Sequence, residues 1–136
     1  MGNAQAALAA SRLSGQYVEE GNKAAWLALF SDTALVQDPV GKSPLDPSGE
    51  GHRGKAAIGN FWDLIIAPGK IEFTILASFP AGDECANLVH LVNNLSGDLK
   101  MEMDMIVVYQ ADDAGKISSL KAYWDFDAVQ EKMAAV

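Results

Sequence analysis

The sequence predicts an α+β domain in which helices roof a curved antiparallel sheet. Apolar residues recur at helical spacing over residues 4–30 and 55–66, whereas period-two alternation takes over between residues 70 and 125. Segregated helices and strands pack best with the helices on one face of an antiparallel sheet. Long strands joined by short turns curve strongly, so the expected shape is a cone with an apolar interior beneath three N-terminal helices. At 136 residues, with no internal repeat or low-complexity linker, the chain fits a single domain over 1–136. That length suffices to bury a core without metal or disulfide support.

The first helix spans Ala4 to Glu20, carrying Leu8, Leu13 and Tyr17, with Gly15 as its weak point in propensity. Gly21-Asn22 signals a stop and a restart, Gly ending one helix and Asn capping the next. The second helix, Lys23 to Phe30, sets Trp26, Leu29 and Phe30 on one face. Ala34 to Gln37 reads as a short strand. From Asp38 to Gly54, DPVGKSPLDPSGEGHRG is loop chemistry, and a loop this long in a small domain is more often functional than idle. Lys55 to Ile66 returns to helix, with Ile58, Phe61, Trp62 and Ile65 on one side, and Pro68-Gly69 ends it.

Ile71, Phe73 and Ile75 then alternate with Lys70, Glu72 and Thr74. Cys85 to Leu95 is apolar on both faces, as a central strand would be. Leu99, Met101, Met103 and Met105 alternate with Lys100, Glu102, Asp104 and Ile106. Ile117 to Asp125 follows the turn at Asp112 to Gly115, and a short helix begins near Ala128.

A net charge of −8 repels phosphate backbones and anionic membranes, and no Lys/Arg cluster offsets it, so neither nucleic acid nor membrane is expected as a partner. The opening MGNAQAALAASRL lacks the basic start and continuous apolar run of a signal peptide, and Ala6 departs from the myristoylation pattern. Cys85 has no internal partner, which fits a reducing, cytoplasmic setting. His90, amid an apolar strand, reads as a satisfied core histidine, and His52 in the glycine-rich loop as a lid residue. Two isolated histidines make no metal site, and no nucleophile elbow, phosphate loop or CxxC motif is present.

Three blocks resemble the ketosteroid isomerase branch of the nuclear transport factor 2-like, or polyketide cyclase-like, superfamily with its cystatin-like fold. They are GNKAAWLALFSDTALVQDPVG (21–41), GKAAI (54–58) with Phe61, and GKISSLKAYW (115–124). The resemblance implies cofactor-free proton transfer on a 3-ketosteroid or similar polycyclic enolisable ketone, and a homodimer. It makes Asp38 the general base, although Asp-Pro can also simply open a turn at any strand–loop junction. In ketosteroid isomerases, which themselves exemplify this chemistry, a tyrosine and a protonated aspartate hold the developing enolate oxygen.

Here those donors would be Asp104 first and Glu102 second. Strand parity sets both on the face opposite the methionines, toward solvent or a partner subunit, unless a bulge between Asp104 and Tyr109 reverses it. The tyrosine position of the family pattern falls on Ser14, leaving Tyr17 one turn further along as a displaced donor. Trp124, Leu120, Ala122, Phe61, Trp62, Phe73, Met103 and Met105 would line a roomy hydrophobic pocket for a steroid-like small molecule. Two other readings keep the same cone: a binding protein without an oxyanion hole, and a lyase or cyclase using Asp38 for different acid–base work.

Overall fold

The computed structural model describes residues 2–134. Helix α1 (Ala4–Glu20) buries Ala7, Ala10, Ser11, Ser14 and Gly15, a strip of small residues that brings its backbone close to the sheet. Gly15 marks the closest approach: a Cβ there would stand 2.5 Å from Cδ1 of Phe73. Gly21 takes the left-handed conformation at φ 68° and stops α1. Asn22 then caps α2 (Lys23–Ala28), its Oδ1 accepting from the Ala25 N–H. The second helix is shorter than its periodicity suggests, because Phe30 already begins β1 (Phe30–Gln37) and is buried there.

After the loop come a two-residue strand, β2 (His52–Arg53), and α3 (Gly54–Phe61), which runs on into a π-helical turn over Trp62–Ile66. Strands β3 (Lys70–Ala81), β4 (Glu84–Asn94), β5 (Lys100–Ala111) and β6 (Ile117–Tyr123) follow, then α4 (Phe126–Ala134). They form one six-stranded curved sheet in the order β2-β1-β6-β5-β4-β3. One pairing departs from the all-antiparallel expectation: β1 runs parallel to β6, with Val36 opposite Leu120 and Gln37 opposite Lys121. The two strands lie far apart in the chain, so no hairpin constrains their relative direction.

The inner face of the sheet and the helices enclose a core in which Trp26, Phe30, Val36, Ile58, Val89, Val107, Tyr109 and Ile117 are almost wholly buried. Each such side chain contributes about 1.5–3 kcal/mol of burial. Trp26 stands at its centre, with Phe30 at 4.6 Å and Trp62 at 5.1 Å between ring centroids. The inward faces carry four buried polar side chains, Ser11, Ser14, Asn87 and Asn93. The Asn87 amide donates to Ser11 Oγ at 3.0 Å, whereas the Oδ1 of Asn93 has no partner among the described residues. No described helix is long and apolar enough to cross a membrane.

Candidate active site

The site forms where the end of β1 meets the end of β6. Parallel pairing through Gln37 and Lys121, continued by the Val40 N–H donating to the Ala122 carbonyl at 2.9 Å, carries Asp38 alongside Ala122-Tyr123-Trp124. The Trp124 Nε1–H donates to Asp38 Oδ1 at 2.6 Å. Indole is a donor only, so this bond fixes one carboxyl oxygen and leaves the other free. Packing around the carboxyl withdraws it from bulk water and raises its pKa from 3.8 to about 6, with the Trp124 bond opposing the rise. Part of the Asp38 surface stays accessible, and it opens on two adjoining hollows.

The first hollow, about 50 Å³, is lined by Ser14 and Tyr109 together with Phe61, Phe73, Met105, Leu120 and Ala122. The second, about 40 Å³, lies toward Asn93, Met103 and Trp124. Both share Asp38, Ile66, Ile71, Leu91 and Met105. The π-helical turn after α3 delivers Ile65 and Ile66 to these walls, an irregularity often found beside functional sites. The space is therefore narrow, not roomy as the sequence suggests. Pockets for drug-sized ligands occupy about 300–1,000 Å³, so a polycyclic ligand requires the methionines, Leu91 and Phe73 to move aside.

Several sequence-predicted residues lie elsewhere. β5 pairs with β4 without interruption from Lys100 to Gln110, and its irregularity against β6 comes only at Gln110–Ala111. Nothing reverses the parity, so Asp104 and Glu102 stay on the outer face, opposite Met103 and Met105. The Asp104 side chain is 68% exposed. His90 joins them there instead of sitting in the core: its Nδ1 lies 2.8 Å from Asp104 and its Nε2 3.0 Å from Glu102. Cross-strand pairing of His90 with Asp104 explains the contact. Bonding first to Asp104 and then to Glu102 raises the imidazole pKa.

Tyr17 is half-buried, packs against the core, and lines neither hollow. Trp62 is buried against Trp26, outside both linings. His52 pairs in β2 and packs against Phe61, the rings tilted by 38° at 5.1 Å between centroids. The loop before it folds around buried Asp46, which accepts from the Gly51 N–H at 2.9 Å, and no residue from 39 to 54 lines either hollow.

Ser14, the alternative donor position, does line the first hollow together with Asp38. Its Oγ accepts from the Trp26 Nε1–H at 3.0 Å and from the Tyr109 hydroxyl at 2.8 Å. Tyr109 is the site residue that sequence reasoning misses. Burial, opposed by the Ser14 bond and reinforced by the charge on Asp38, raises the Tyr109 pKa well above the usual phenol range, so it stays protonated. The inward alternation of Met103, Met105, Val107 and Tyr109 along β5 was the available signal.

The SnoaL-like domain family matches residues 14–120, a span that includes Ser14, Asp38 and Tyr109. The chain belongs to that family, in the ketosteroid isomerase-like branch of the nuclear transport factor 2-like superfamily. It is 30% identical over 107 residues to a steroid delta-isomerase of Nocardioides simplex, covering 79% of this chain and 80% of that one. Its fold superposes on a delta 5-3-ketosteroid isomerase from a Mycobacterium species with a TM-score of 0.85 and 36% identity, over 90% of this chain and 95% of the other. A Mycobacterium tuberculosis protein in complex with estradiol-17beta-hemisuccinate gives a TM-score of 0.85 at 35% identity, with coverage of 90% and 95%. In this SnoaL-like chain the motif segment 38–41 and the strand segment 115–124 meet at the Asp38–Trp124 bond.

Proposed function

We propose that this protein is a cofactor-free isomerase that relocates a proton on a 3-ketosteroid or a similar flat, enolisable enone. Asp38 carries the reading: a carboxyl drawn out of water to a pKa of about 6 is ionised at neutral pH yet basic enough to take a carbon-bound proton. The carboxylate removes a proton from the carbon between the carbonyl and the double bond. Electrons shift onto oxygen as the dienolate forms. The Asp38 carboxylic acid then returns that proton to the far end of the dienolate, bringing the double bond into conjugation. Trp124 holds the inactive oxygen of the carboxyl throughout, so the reactive one keeps a single orientation. Similarity to steroid isomerases and to a steroid-bound relative supports the substrate class.

The test is a β,γ-unsaturated 3-ketosteroid followed by ultraviolet absorbance of the conjugated enone. Enone formation by the wild type, lost in Asp38→Asn, is the expected result. Saturable quenching of tryptophan fluorescence without turnover would instead favour a binding protein, a reading supported by the outward Asp104 and Glu102. As partner the reading includes a second copy of the chain, docked on the outer face of the sheet. Leu76 at 56% exposure and Phe79 at 65%, with Ile106 and Tyr123, leave apolar surface there. Sedimentation of wild type against Phe79→Lys tests it, a monomer in both being the contrary outcome. A cytoplasmic setting completes the proposal, in keeping with the free, buried Cys85.

A further inference from the structure

The hydroxyls of Ser14 and Tyr109 hold one more proton than their contacts consume. Trp26 Nε1–H can only donate, and it fills one lone pair of Ser14 Oγ. Between Ser14 and Tyr109, 2.8 Å apart, one hydroxyl donates to the other. Whichever does, the second O–H remains without an acceptor among the described residues. Ser11, one turn earlier on α1, shows the contrast: its hydroxyl is tied to the Ala7 carbonyl at 2.8 Å, whereas Ser14 makes no such bond to its own helix. Both Ser14 and Tyr109 are at most 2% exposed, and both line the hollow that Asp38 enters. An unused donor in a buried wall is costly unless something accepts from it.

We infer that this spare proton is the oxyanion donor of the site, Ser14 contacting the substrate's carbonyl oxygen and Tyr109 acting through it as a positioning residue. The inference rests on the isomerase reading above and reassigns the role expected of Asp104 and Tyr17. As Asp38 removes the carbon-bound proton, negative charge gathers on the carbonyl oxygen, which accepts from Ser14 O–H. Ser14 Oγ is polarised in turn by the Tyr109 and Trp26 donors, a chain in which each bond strengthens the next. No proton leaves the serine, and it is in place again once the carbonyl re-forms.

The probe is β-naphthol, whose anion imitates the dienolate, added to Asp38→Asn protein in which residue 38 is neutral, as it is when the intermediate exists. Naphtholate absorbance at neutral pH, where naphthol free in water is un-ionised, is the expected signature. It should fall at least tenfold when Ser14→Ala is added and in part when Tyr109→Phe is added. In otherwise wild-type protein, Ser14→Ala should lower kcat for the enone reaction by about 100-fold with KM little changed. Tyr109→Phe should cost less, and should cost nothing further in the Ser14→Ala background. Circular dichroism of each variant separates these effects from loss of fold. Equal naphtholate with and without Ser14 overturns the donor, as does unchanged turnover in Ser14→Ala. Turnover that survives Asp38→Asn overturns the base instead, and the naphthol spectrum then decides the donor by itself.

Discussion

Asp38 and Asp104 are the same side chain on opposite sides of one sheet, and their surroundings give them opposite chemistry. Asp38 meets apolar walls and a single indole donor, so its charged form is disfavoured and its pKa climbs to about 6. Asp104 is largely exposed and lies against His90, where a carboxylate serves as a counter-ion. Place in the fold decides which aspartate is drawn out of water. Asp38 escapes the alternation that fixes Asp104 because it lies just beyond β1, at a strand end where the chain turns inward against Trp124.

Removing the inner carboxylate should produce the largest effect. Asp38→Asn should lower enone formation by roughly 10²–10⁴-fold, the range contributed by a positioned general base. In wild type, kcat/KM should rise with pH to a plateau above about 6, as Asp38 ionises. The same substitution should have the opposite sign on stability. The native pKa lies above the unfolded value of 3.8, so between these values the folded state holds the extra proton and stability falls as pH rises. The penalty is absent below pH 3.8 and complete above about 6. At 1.36 kcal/mol per pKa unit it is at most roughly 3 kcal/mol. Urea midpoints of wild type and Asp38→Asn should therefore coincide near pH 3.8 and separate by pH 7, the variant being the more stable. Midpoints that stay together across that interval would mean that the inner aspartate is not held out of water.

The same contrast explains what the sequence made legible. Strand parity alone set the methionine row inward and the Glu102–Asp104 row outward, and that reading needed no relative. The α1 stop at Gly21 and the cap at Asn22 were equally local, since the residues themselves dictate φ and supply the acceptor. The bond between Trp124 and Asp38 was not legible, because it depends on the parallel β1–β6 register across most of the chain. Tyr109 was missed for a related reason: its meaning comes from Ser14 on another element. His90 misled because its strand has apolar residues on both faces, so periodicity could not say which face it took.

Gly15 offers an intermediate effect on the inner side alone. Phe73 occupies the space that a Cβ at residue 15 would need, so its half-buried ring, or α1 itself, must shift to admit one. Gly15→Ala should therefore cost about 1–3 kcal/mol despite alanine's better helix propensity. Because Phe73 and Ser14 share the first hollow, the same change should also weaken steroid quenching. Thermal unfolding and titration of tryptophan fluorescence read the two effects separately. A variant as stable as wild type would show that α1 sits further from the sheet than Phe73 indicates.

The outer carboxylate should give the smallest effect, and this bears most directly on the comparison. Asp104→Asn removes a charge that reaches neither hollow, so enone formation should stay within about twofold of wild type, exposed pairs of this kind being worth little. Its consequence should appear at His90. Both ring nitrogens face carboxylates, which favours imidazolium, and the imidazole pKa stands above the usual 6.5, chiefly through Asp104. A raised pKa contributes stability that is fully present below the unfolded value and is lost as pH rises through the folded one. Proton NMR titration should find His90 above 6.5 in wild type and lower, though still held up by Glu102, in Asp104→Asn. A large loss of turnover in that variant would join the two faces in one function and undo the division between them.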